Sequence, residues 1–180
     1  MQKTPLRLIR DTNLQFIFLF SNADGFYVSA RYDLIHGLVV PGCSNAHQSI
    51  ELYIKAILKL IHKHKPGHDL IDMLKKFIDC DPYFKELLED GPKALLLKEL
   101  SDAYIVFRYG EAGAESNSLE LIRMIDDIVH HLRSIYLSKI NAPARTIYVP
   151  IEAQQAFLKN NASFSKKELT SNPLAQFMPI

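Results

Sequence analysis

The sequence predicts an all-α fold, an up-and-down bundle of four to five helices. Three observations carry that prediction. Apolar residues recur at three- and four-residue intervals through most of residues 24–140, the period of one helix face. No run in that region combines strand alternation with hairpin turns. The proline- and glycine-bearing breaks (Pro41-Gly42, Pro66-Gly67, Asp81-Pro82, Gly91-Pro92) separate the periodic segments.

Residues 1–22 read as an N-terminal extension. Within it, Leu14–Phe20 (LQFIFLF) has the aromatic and β-branched bias of a short buried strand, with a helical turn leading into the next element as the alternative. Asn22, Ala23 and Asp24 start the first helix, which runs to Leu38 with Tyr27, Ala30, Leu34 and Leu38 on one stripe and Arg31 and Ile35 at its edge. Val39–Ser44 then reads as a turn because it holds Pro41-Gly42.

The central helix spans Ala46 to Lys65, with Ala46, Ile50, Tyr53, Ile54, Ile57, Leu58 and Ile61 on one face. Asn45 or Ser44 can cap its start and Pro66-Gly67 stops it. The short connection makes it antiparallel to the first helix. Glu51 and Lys55 stand in the Glu-before-Lys order that favours pairing along a helix.

His68-Asp69 opens a third helix, with Leu70, Ile71, Leu74, Phe77 and Ile78 facing in, and Asp81-Pro82 interrupts it. Tyr83–Glu89 forms one or two loose turns. Lys93–Tyr109 is the fourth helix, its inward set Leu96, Leu97, Leu100, Ala103, Tyr104 and Phe107. After a polar loop at Gly110–Asn117, Ser118 caps the last helix, whose stripe of Leu121, Ile122, Ile125, Ile128, Val129, Leu132, Ile135 and Tyr136 is the strongest in the chain. The bundle therefore occupies residues 23–140. Residues 141–180, punctuated by Pro143, Pro150, Pro173 and Pro179, read as a C-terminal arm or tail.

A 180-residue chain can bury a sizeable core. Its apolar fraction of 48% and charged fraction of 23% are those of a globular protein. A net charge of +1 gives no composition-level argument for nucleic acid or membrane binding, and local patches stay open. Cys43 and Cys80 lack metal-ligand spacing and read as reduced thiols in a cytoplasmic protein. Leu14–Phe20 is too short to span a bilayer of about 30 Å and has no cleavage site of a signal peptide.

The stretch HQSIELYIKAIL (His47–Leu58), followed ten residues on by His68-Asp69-Leu70 and later by Arg108-Tyr109 at a helix end, resembles the HEPN (higher eukaryotes and prokaryotes nucleotide-binding) domain family over about residues 22–140. The resemblance singles out Glu51, Lys55, His68, Arg108 and Tyr109 as ligand-binding residues. The structural role open to them is an interhelical ion pair, such as Glu51 with Arg108. Many HEPN proteins are metal-independent RNases with an arginine, four to six residues, then a histidine. Arginine grips the scissile phosphate and histidine moves protons near neutral pH.

No histidine stands four to eight residues beyond Arg108. That departure resembles the branch without nuclease activity, which binds a small molecule or a partner protein. Arg123 and His130 match the spacing inside the last helix and are the catalytic candidates of an RNase alternative; Arg31 and His36 match it in the first helix. His62, His64 and His68 with Lys59, Lys63 and Lys65 form a basic helix end suited to an anionic ligand, with no carboxylate or cysteine to complete a metal set.

The expectation is thus a non-catalytic, homodimeric binding or regulatory module for a nucleotide-like or other anionic ligand, RNA, or a protein partner such as a nucleotidyltransferase. The resemblance places such domains in stress and toxin–antitoxin settings. No cofactor and no metal is expected.

Overall fold

The computed structural model describes residues 12–61, 67–109 and 118–140. The described residues hold six α-helices and no strand: α1 (Thr12–Ile35), α2 (Val39–Leu60), α3 (Leu70–Leu74), α4 (Pro82–Glu89), α5 (Gly91–Tyr109) and α6 (Ser118–Lys139), with a 3-10 turn at Lys75–Phe77 after α3. The fold is all-α, as the periodicity predicts. The basic segment at 62–66, the loop at 110–117 and the arm at 141–180 lie outside the described residues.

The first correction concerns Leu14–Phe20, where the helical alternative holds and the strand does not: α1 starts at Thr12, not at Asn22–Asp24, and runs unbroken through residue 23. Phe16 and Phe20 extend the stripe of Ala23, Tyr27, Ala30 and Leu34 backwards at helical intervals. Packing on that stripe overrides the weak strand preference of the residues. Phe20 stacks on Tyr136 at 3.9 Å between ring centroids and meets Tyr53 edge-on at 5.1 Å.

The second correction is the turn between α1 and α2. It lies at His36–Leu38, before Pro41-Gly42. Gly37 adopts φ +75°, and the bonds Gly37 N–H to Leu34 O (3.1 Å) and Leu38 N–H to Asp33 O (2.8 Å) close α1 in a Schellman motif. Helix α2 already begins at Val39, so Pro41 sits in its first turn, where the missing N–H costs little. Leu38 is the N-cap and makes no side-chain cap bond. Asn45, expected as a cap, instead donates to Asp33 Oδ2 at 2.8 Å. A Cβ on Gly42 would stand 2.6 Å from Leu34 Cγ, so glycine lets the two helices approach there.

Helix α2 is the centre of the bundle, packed on α1, α5 and α6. Ala46, Ile50, Tyr53, Ile54, Ile57 and Leu58 are all buried. The eight-residue stripe expected of α6 is buried throughout. Asp69 caps α3 by accepting from Asp72 N–H (3.0 Å), and Asp81 caps α4 by accepting from Tyr83 N–H (3.0 Å). Asp81 Oδ2 also meets His131 Nδ1 at 2.6 Å, and the His131 ring stacks on Tyr83 at 3.9 Å. This ties α4 to α6.

Two crossed ion pairs fix α1 antiparallel to α6. Arg31 pairs with Asp126, and Arg133 with Asp24. Tyr27 donates to Asp126 Oδ1 at 2.6 Å, Tyr53 donates to Asp24, and the Arg133 guanidinium lies 4.6 Å from the Phe20 ring centroid. Arg31, Arg133 and Asp126 are at most 1% exposed, so each charge depends on its partner. A slip of the helices would separate both pairs at once.

Candidate functional site

Glu51 is buried on α2 and its carboxylate is the hub of the site. Lys55, one turn on, donates to Oε1. His68, which precedes α3, brings Nδ1 to 3.1 Å from both carboxylate oxygens. His47, one turn before Glu51, places Nε2 3.5 Å from Oε2, an electrostatic contact longer than a hydrogen bond. Burial alone would push this carboxyl up; His47, Lys55 and His68 together outweigh it and hold it at about 2. At neutral pH Glu51 is therefore a fixed negative charge and a very weak base.

The structure thus brings together Glu51, Lys55 and His68, three of the residues that the sequence singles out. The partners of Glu51 on the described residues are Lys55 and the two histidines, where sequence reasoning offered Arg108. Arg108 and Tyr109 fall in the last turn of α5, and their side chains lie outside the described residues.

A cavity of about 430 Å³ opens beside the hub, within the size range of small-molecule sites. His47 contributes from α2, and His68, Asp69 and Ile71 from the start of α3. The α5 wall is Lys98, Ser101, Asp102 and Tyr104. The Tyr104 ring lies on His47 at 4.1 Å and 6°, a parallel stack. His47 is 2% exposed, and its Nδ1 has no hydrogen-bond partner among the described residues, an uncommon state for a buried polar atom.

Sequence reasoning missed His47, Lys98, Ser101 and Asp102 as site residues. The signal for His47 was its spacing: it stands four residues before Glu51, as Lys55 stands four after. The three α5 residues lie at i, i+3 and i+4, one patch of helix surface beside the apolar stripe.

The other candidates lie elsewhere. Arg123 is exposed and His130 half-buried on α6, and neither lines the cavity. Burial and then the neighbouring His131 depress the His130 pKa, which favours the neutral imidazole. Arg31 is sequestered against Asp126, while His36 is exposed with Nδ1 2.8 Å from Tyr32 O, so those two do not form a reactive pair. No group of three or more metal-ligating side chains occurs among the described residues, and no helix among them is long and apolar enough to cross a membrane.

Fold and site together define a class: a helical bundle with a ligand-sized cavity set against a buried, fully engaged carboxylate. The chain belongs to the HEPN domain family, whose model matches residues 17–140, and is thereby a nucleotide-binding or RNase-like module in general terms. No curated protein and no solved structure matches the chain.

Proposed function

We propose that this chain is a non-catalytic HEPN binding module whose nucleotide-like ligand occupies the cavity between α2, α3 and α5. The observation that carries this reading is the cavity wall itself. His47, buried and with no partner for Nδ1 among the described residues, is stacked on Tyr104 and oriented by the Glu51 hub. A donor and acceptor set of Lys98, Ser101 and Asp102 faces it from α5. Such walls, largely apolar with a few placed polar groups, suit binding. The Glu51 carboxylate beside the cavity, held at about 2, does not take a proton near neutral pH and is no general base.

The module works as a homodimer or beside a protein partner such as a nucleotidyltransferase. The competing reading is a metal-independent RNase using Arg123 and His130, favoured by the accessibility of Arg123 and the shared helix.

Two assays run side by side separate them. RNA cleavage in excess EDTA is measured for wild type, Arg123→Ala and His130→Ala. Thermal stabilisation by mononucleotides is measured for wild type and for Ser101→Phe, which fills the cavity. The binding reading expects stabilisation of wild type, its loss in Ser101→Phe, and no cleavage. Cleavage that both α6 substitutions abolish would overturn it.

A further inference from the structure

The cavity has a charge balance that bears on which part of a nucleotide it reads. Its walls hold one permanent cation, Lys98, against two carboxylates, Asp69 and Asp102. The Glu51 charge beneath is matched by Lys55. A triphosphate would therefore meet two carboxylates for each ammonium. Like charges at contact distance oppose binding even in a partly solvated site.

Carboxylates are, on the other hand, good acceptors for the vicinal hydroxyls of a ribose. The flat walls suit a base: Ile71 and the Tyr104 ring offer apolar surface. His47, held under the Tyr104 ring, backs that apolar wall.

Resting on the binding reading above, we infer that the cavity recognises a nucleoside rather than a nucleoside polyphosphate: the base lies against Ile71 and Tyr104, and the ribose hydroxyls donate to Asp102 or Asp69. Each added phosphate weakens binding. This order is the reverse of that of a phosphate-reading site, where affinity is carried by cations and helix N-termini.

Titration calorimetry of the full chain tests it, with adenosine, cytidine, guanosine and uridine each set against its own 5′-triphosphate. The expected result is that the best nucleoside binds about tenfold or more tightly than its triphosphate. Asp102→Lys, at an exposed position of α5, narrows or inverts that gap. A triphosphate that binds as tightly as its nucleoside, or a ratio that Asp102→Lys leaves unmoved, would overturn the inference and leave the binding module standing. No heat with any of the eight compounds would overturn both.

Discussion

Replacing Glu51 by glutamine removes one charge and almost no volume, so the effect reports on electrostatics and not on a cavity. In the wild type the carboxyl is displaced from its ordinary 4.5 to about 2 because His47, Lys55 and His68 outweigh its burial. Such a displacement corresponds to about 3 kcal/mol of stability at neutral pH. The exposed His68 side chain and the solvent it admits reduce that to about 2 kcal/mol. The folded value lies below the unfolded one. The contribution is therefore complete above about pH 4.5 and is lost as pH falls toward 2. Urea unfolding of wild type and Glu51→Gln at pH 7 and pH 4 measures it. The expected difference is about 2 kcal/mol at pH 7, smaller at pH 4, with equal m-values. Equal stability at pH 7, or a difference that grows on acidification, would refute the reasoning.

Four further outcomes are expected. Arg31→Met leaves Asp126 buried without its cation and should cost about 3–5 kcal/mol in chemical denaturation, much of which Arg31→Met combined with Asp126→Leu restores. Gly42→Ala drives a Cβ against Leu34 and should lower stability by about 1–3 kcal/mol, whereas Gly25→Ala, with open space around it inside α1, should raise it slightly. His131→Ala removes the Asp81 contact and the Tyr83 stack, and should cost about 1–2 kcal/mol and increase amide exchange in α4. Arg123→Ala, at an exposed position, should change the melting temperature by no more than the equivalent of about 0.5 kcal/mol.

The bundle was legible because its longest helices bury wide single stripes. The α6 stripe and the α2 face needed only periodicity, and the opening of α3 at Asp69 needed only the residue type ahead of an apolar run; Asp81-Pro82 reads as an interruption, whereas Asp81 caps α4. Pro41-Gly42 misled because a proline is compatible with a turn and equally with the first turn of a helix. The true stop was Gly37, followed by an apolar residue as a Schellman motif requires. Leu14–Phe20 misled because a short apolar run has no period to read until the residues after it are counted into the same stripe.

The crossed ion pairs had a signature that went unread. Asp24 precedes Arg31 by seven residues, and Asp126 precedes Arg133 by the same interval. In two antiparallel helices that repeat sets each aspartate opposite the other helix's arginine. The repeat is visible in the chain, but which two helices face each other is decided only by packing. The same limit governs the site. Glu51, Lys55 and His68 share a local stretch of sequence, whereas the cavity needs α5 brought against α2 and α3. Lys98, Ser101 and Asp102 become neighbours of His47 only in the folded chain.

Binding in the cavity is tested most directly by a nuclear magnetic resonance titration of the isotope-labelled chain with a mononucleoside such as adenosine, followed at backbone amides and histidine rings. Saturable shifts are expected at His47, His68, Ser101, Asp102 and Tyr104, with the amides of Arg123 and His130 unmoved. Shifts centred on Arg123 and His130, with the cavity silent, would contradict it.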